Sequence, residues 1–228
     1  MNTLPIVDIL LLRHGRTDYT EKGLDLTQEG EEHSRLVAKN HVLPWLDTLQ
    51  VSVENLSIIT SGAARAKGTA TVISKTINQD RGFVVYDMLR PMAWRDPSRA
   101  LAILSEMKKR GGYIDYETEP DFANPSIFET PGEVRARWYK FLAGYIASMV
   151  PEGKNRRATV LVAHYELLCN IVHDLFEIVS SEATALQHTE PVFIAIHRTK
   201  IKSTVLFEGR FRDLANFRVF DIANRRFV

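Results

Sequence analysis

The chain has 228 residues, 45% of them apolar and 25% charged, with 29 Lys and Arg set against 28 Asp and Glu. That composition excludes wholesale disorder, and the near-zero balance excludes a single-sign field that would draw in nucleic acid or an acidic membrane. A lone cysteine, Cys169, excludes a disulfide framework and suits a reducing compartment. Surface-to-mass scaling buries about 70% of a chain this long, enough for one domain over 1–228 with its own core.

The first residues carry no basic stretch. Asp8 and Arg13 bracket an apolar run too short for a signal or a membrane span, so the expected location is cytoplasmic. Ile6 to Leu12 has the pattern of a strand buried on both faces. Thr27 is a plausible N-cap, with Glu29, Glu31 and Glu32 favourably placed in the first turn of the helix it opens. Leu56 to Thr60 is a second strand, followed by a helix whose Ala66, Ala70, Ile73 and Ile77 share one face. Phe83 to Tyr86 is a third strand. Ala100, Leu101, Leu104 and Met107 mark a helix ended by Gly111-Gly112.

Tyr113 to Pro131 holds three prolines and five acids, no Lys or Arg and no clear period, and is expected to be a long loop. Together with the residues before it, from about 88, it would form a lid or insert, with Asp115 to Asp121 solvated. Val134, Trp138, Phe141, Leu142, Tyr145 and Met149 line a helix entered through Pro131, and Trp45, like Trp138, is expected to pack. Ala158 to Ala163 is another buried strand, backed by a helix marked by Leu168, Ile171, Val172 and Leu175. Val192 to Ile196 and Thr204 to Phe207 alternate like a hairpin pair, with a weak strand near Phe217 to Phe220. The last strands are a free border, a dimer seam or neither. This order predicts an α/β/α sandwich, a three-layer fold around a mainly parallel central sheet with antiparallel C-terminal strands.

Ligands of such sheets bind at the carboxyl ends of the strands. The first strand delivers Arg13-His14-Gly15-Arg16-Thr17, the second Ser61 to Ala70 with Arg65 inside it, and the strand near Val162 delivers Ala163-His164-Tyr165-Glu166. Guanidinium forks match phosphate oxygens. A neutral imidazole beside them is a competent nucleophile towards phosphorus, since nearby arginines oppose its protonation. A second, protonated histidine would donate to oxygens that gain charge in the transition state.

These residues resemble the histidine phosphatase superfamily, the phosphoglycerate mutase-like branch 1. Its Arg-His-Gly-Glu-Thr signature is matched by Arg13, His14, Gly15 and Thr17, with Arg16 in place of Glu. Its Ser-x-x-x-Arg-Ala-x-x-Thr-Ala block is matched at Ser61, Arg65, Ala66, Thr69 and Ala70, and its second histidine at His164. Asp25-Leu26-Thr27 through Gly30 is similar to the family's turn into its first helix, and Gly132-Glu133 to its Gly-Glu-Ser element. The likeness runs from Ile6 to about Leu175. It implies a phosphoglycerate mutase-like fold and a metal-independent phosphatase acting on a small phosphorylated substrate. His14 would be the phosphorylated nucleophile, Arg13, Arg65 and His164 the rest of the phosphate pocket, with Arg16 and Thr20 beside it and no cofactor.

The departures matter as much. The family's acid, after the third strand, falls here on Pro91, so the acid is missing or supplied by Asp96, Asp87 or Glu166, with Asp96 favoured because it follows the same loop. Without an acid only esters with good leaving groups react fast, since protonating the departing oxygen contributes roughly 10²–10⁴-fold. Arg16 for Glu, and Thr20 where Asn is usual, argue against a mutase. A phosphate-binding regulatory protein without turnover is the competing reading. Arg90, Arg95 and Arg99 either grip a second anion or form a solvated face. His33, His41, His173, His188 and His197 show no metal-ligand spacing. Cys169 lacks the downstream arginine of a cysteine-based phosphatase loop.

Overall fold

The computed structural model describes residues 6–18, 25–111, 114–116, 118–148 and 157–228. Eight strands share one sheet: β1 (Val7–Arg13), β2 (Leu56–Thr60), β3 (Val84–Val85), β4 (Ala158–Ala163), β5 (Pro191–Arg198), β6 (Thr204–Phe211), β7 (Leu214–Asp221) and β8 (Arg226–Phe227), in the order β3-β2-β4-β1-β5-β6-β7-β8. The pairings from β3 to β1 are parallel, and those from β1 to β8 are antiparallel. The sheet is therefore mixed, with the expected antiparallel C-terminal strands making up as much of it as the parallel part.

Successive side chains of a strand point to opposite faces, and β1 feeds two cores. Ile9 and Leu11 pack with Val134, Trp138, Leu168 and Ile171. Leu10 and Leu12 pack with Val37, Ala66, Ala70 and Ile73. The first set belongs to α5 (Pro131–Ser148) and α6 (Tyr165–Phe176), the second to α1 (Gln28–Val37) and α3 (Ala64–Thr76). Helices thus cover both faces of the parallel half, giving the three layers. Towards β7 the second face is bare, and Phe217 is exposed there.

Thr27 caps α1 as expected, its hydroxyl accepting from Gly30 N at 3.0 Å. The same rod runs on through a π-turn over Ala38–Val42 into α2 (Leu43–Leu49), which carries Pro44 in its first turn and ends on left-handed Gln50. α4 (Pro97–Arg110) stops at Gly111, whose φ of 72° suits glycine. The acidic loop after it is pinned, not loose. Phe122 and Phe128 are fully buried, Tyr116 stacks on Phe122 at 4.6 Å, and a 3₁₀ turn spans Pro120–Ala123. A carboxylate at the heart of this region, Glu129, accepts from both Arg90 and Arg137. Burial pushes its pKa up, but hydrogen bonds from Arg137 and Arg90 outweigh that and hold it below the ordinary value. Arg137 also donates to the carbonyls of Met88 and Arg90, which fixes the loop entering Pro91. Among the described residues no helix is long and apolar enough to cross a membrane.

Candidate active site

The carboxyl ends of β1 and β4 lie side by side, Arg13 opposite Ala163, and β2 reaches the same rim. His14 leaves β1 still tied to the ladder, its N–H donating to Ala163 O at 3.0 Å. The chain then squeezes between two helices. Gly15 N donates to the Thr69 hydroxyl of α3 at 2.8 Å, and a Cβ on Gly15 would meet Gly30 O of α1 at 2.8 Å. A side chain there would push the helix away, so this glycine is needed for close approach.

Donor chemistry fixes the protonation of both central histidines. A carbonyl only accepts, so His14 Nδ1 carries a proton and donates to Gly15 O at 2.8 Å. A guanidinium only donates, so His14 Nε2 accepts from Arg65 Nε at 3.0 Å. By the same logic His164 Nδ1 accepts from Arg65 Nη2 at 3.3 Å, and its Nε2 donates to Ser61 Oγ at 2.7 Å. The two rings sit 5.1 Å apart and are almost wholly buried. Burial, then the Arg65 charge, holds the His14 pKa well below the ordinary value. For His164 the causes are burial, then His14 and Arg65. Both imidazoles are neutral at pH 7. For His164 this corrects the expected protonated donor: its one proton is on Nε2 and points at Ser61 Oγ, and the guanidinium beside Nδ1 opposes a second one.

Arg13 places its guanidinium 5.0 Å over the Tyr165 ring and donates from Nη1 to Leu186 O at 2.8 Å. Arg13, His14 and Arg65 line the floor of a cavity of about 310 Å³, whose walls include Ile114, Tyr116, Tyr165 and Leu186. Glu166 is the carboxylate among the lining residues. It comes from the first turn of α6 and accepts from Met92 N at 3.4 Å. Its carboxylate thus reaches the Pro91–Met92 loop, the place where the sequence lacks an acid.

Two expected site residues are elsewhere. Asp96 caps α4, its Oδ1 accepting from Arg99 N at 3.0 Å, and is not among the cavity-lining residues. An Asp before Pro satisfies the open N–H groups of a helix start, and that demand claims it here. Arg16 lies in an exposed ion pair, 2.6 Å from Glu29. Its carbonyl meets the start of the same helix, Thr27 N donating to it at 3.0 Å. Thr20 lies outside the described residues. Asp87 is exposed beside Arg90. Arg90 and Arg95 are engaged by Glu129 and Glu133, so neither is a free grip for a second anion.

One residue near the centre, placed by the sequence in the loop before a strand and able to approach the pocket, is given no role there by the sequence. The His188 ring lies 5.5 Å from that of His14. Strand exits find only residues that follow parallel strands. Because β5 runs antiparallel to β1, the residues before it, not after it, meet the same rim, and Leu12 pairs with Pro191. The hairpin alternation of the last strands was the signal.

The sequence model of the histidine phosphatase superfamily (branch 1) matches residues 9–206. No curated protein sequence matches the chain. Among solved structures, a protein described as mycobacterial hydrolase 1 superposes with a TM-score of 0.59 at 19% identity, covering 93% of this chain and 96% of its own. Mycobacterial glucosyl-3-phosphoglycerate phosphatase gives 0.57 at 20%, with 93% and 96% covered. Phosphoglycerate mutase from Bacillus anthracis gives 0.55 at 15%, with 82% and 87% covered. At these identities the likeness is one of fold.

Proposed function

Since the chain belongs to the histidine phosphatase superfamily (branch 1), we propose that it is a phosphomonoesterase that works through a phosphohistidine at His14 and needs no metal. The observation that carries this is the lone pair of His14 Nε2, fixed by Gly15 and aimed at Arg65 on the floor of the cavity. When a phosphoryl group enters, Arg65 exchanges its bond to Nε2 for one to a phosphate oxygen, and Arg13 takes another. His14 Nε2 then attacks phosphorus as the ester P–O bond breaks. His164 Nδ1 loses its bond to Arg65 in the same exchange. The phosphoryl charge offsets the guanidinium that opposed a second proton, so Nδ1 takes the proton of a phosphate monoanion and then donates to a nonbridging oxygen as charge grows there.

Glu166, protonated, gives its proton to the departing oxygen. As a carboxylate it then takes a proton from the water that attacks the phosphohistidine, releasing phosphate and restoring Nε2. This puts the acid on α6 instead of the loop holding Pro91. Ile114, Tyr116 and Leu186 would face the alcohol part of the substrate, which suits a small ester with an apolar surface near its phosphate. The competing reading, phosphate binding without turnover, rests on Pro91 at the family's acid position.

One experiment separates them. With p-nitrophenyl phosphate in EDTA, the wild-type chain is expected to release phosphate, and His14→Ala to lose about a hundredfold or more of the rate. An acid-labile, alkali-stable phosphoenzyme should be trapped in the wild type alone. Wild-type turnover unchanged by His14→Ala would end the reading, and vanadate binding without any turnover would favour the competitor.

A further inference from the structure

Three imidazoles, not two, gather beside the cavity, with His14, which lines it, in contact with both of the others. His188 packs on His14 at 5.5 Å between ring centroids, on the other hand from His164 in sequence and carried by a different segment. Its Nε2 is fully buried and has no hydrogen-bond partner among the described residues. The same is true of Arg13 Nε. Two polar atoms beside one histidine are thus left without partners, in a protein class where buried polar atoms are nearly always paired. An anion seated against His14 offers the acceptors both would need.

The backbone around His188 is strained in a way that holds the ring there. Thr189 is buried and adopts φ 59°, in the left-handed region that a β-branched residue rarely enters. Its N–H donates to Arg13 O at 3.0 Å, and its hydroxyl donates to His188 O at 2.7 Å. The strained turn is therefore stitched to the strand that ends in the nucleophile. Strain of this kind persists where the surroundings over-determine it, and it clusters at ligand sites.

We propose that His188 is a further phosphate ligand of this site, its Nε2 donating to a nonbridging oxygen of the phosphoryl group held against His14. The proposal rests on the phosphomonoesterase reading. In the free site His188 is neutral, because burial and then the Arg13 charge bring its pKa down to about 4. With the proton of the neutral ring on Nε2, an arriving dianion receives a hydrogen bond in addition to those from Arg13 and Arg65.

The test titrates orthovanadate into the full chain and into His188→Phe and His188→Gln. Phenylalanine keeps an aromatic ring against His14 but removes the donor; glutamine restores an N–H. Loss of one donor to an anion predicts about tenfold weaker vanadate binding in His188→Phe, partly recovered in His188→Gln, with kcat/KM for p-nitrophenyl phosphate falling in parallel. Wild-type affinity in a folded His188→Phe would overturn the proposal while leaving the phosphomonoesterase reading intact. Should His188→Phe fail to fold, the wild type decides: in ¹⁵N-histidine spectra the His188 Nε2 resonance must move on adding vanadate, and a resonance that stays put overturns the assignment. A wild type that binds no vanadate removes both readings together.

Discussion

Arg65→Ala is the most searching substitution, because one side chain both serves the proposed anion and sets the state of two histidines. Its Nε reaches His14 Nε2 at 3.0 Å and its Nη2 reaches His164 Nδ1 at 3.3 Å, from a position 9% exposed. At about 4 Å and an effective dielectric near 20, the attraction between a guanidinium and one phosphate charge is roughly 4 kcal/mol. Desolvating the arginine and the anion offsets part of that. A charged hydrogen bond retains about 1.5–3 kcal/mol, so vanadate should bind about 10- to 150-fold more weakly. The substitution also removes a charge that opposes protonation of His14, so the His14 pKa must rise. Isothermal titration with vanadate and ¹⁵N-histidine NMR across pH read the two effects separately, with the thermal midpoint as a control for folding. Vanadate affinity within threefold of wild type, together with an unmoved His14 titration, would refute the arrangement of charge described above.

Other outcomes follow from the same geometry. Glu166→Gln should cut turnover of an alkyl phosphate by roughly 10²–10⁴-fold but that of p-nitrophenyl phosphate much less, since nitrophenolate leaves without a proton; equal losses on both esters, measured by phosphate release, would remove Glu166 as the acid. Asp96→Ala should cost about 1 kcal/mol in urea unfolding through loss of the α4 cap and leave kcat unchanged, and a large fall in kcat would restore Asp96 to the chemistry. Acid should destabilise the fold. His14, His164 and His188 all hold protons less tightly when folded, so the unfolded chain takes up more protons below the ordinary histidine value near 6.5. Their contribution is whole above that pH and is lost as pH falls, for His188 down to about 4. Urea unfolding between pH 6.5 and 4.5 should show a slope approaching about 1.4 kcal/mol per pH unit for each such imidazole, and a flat profile would contradict the neutral assignments.

Elements whose pattern is local could be read from the chain. The unbroken Ile9-Leu10-Leu11-Leu12 run fits only a strand buried on both faces, and it feeds both cores. Ala66, Ala70, Ile73 and Ile77 share the buried face of α3 and the turn after it, and Thr27 caps where a hydroxyl before a run of acids should. The π-turn and Pro44 conceal α2, because a break in period and a proline both imitate a helix end. β7 is faint because Phe217 lies on the face that no described helix covers and Leu214, the first residue of the strand, is exposed as well, so burial does not shape its alternation. At the site, Arg13, His14, Arg65 and His164 were legible because each follows or opens a regular element at the same rim. The acid was not. Nothing local distinguishes Asp96, spent on a helix start, from Glu166, which gains its place only when α6 packs beside the Pro91 loop. Arg16 was misplaced for a like reason, since only the folded α1 brings Glu29 to it.

The order of strands also governs how the molecule can be made. The segment that leads to the proposed nucleophile is synthesised well before the two neighbours it hydrogen-bonds, which start at Ala158 and Pro191. A ribosome therefore releases an apolar stretch that has no companion until the residues from Ala158 onward have emerged. Pairing over such sequence distances is slow and leaves sticky intermediates exposed. The C-terminal meander, by contrast, joins consecutive strands and can zip up alone. Truncation before Pro191 would strip one side of that central segment bare, and synthesis halted there should yield a chain that depends on chaperones and lacks the strand whose start brings His188 to His14.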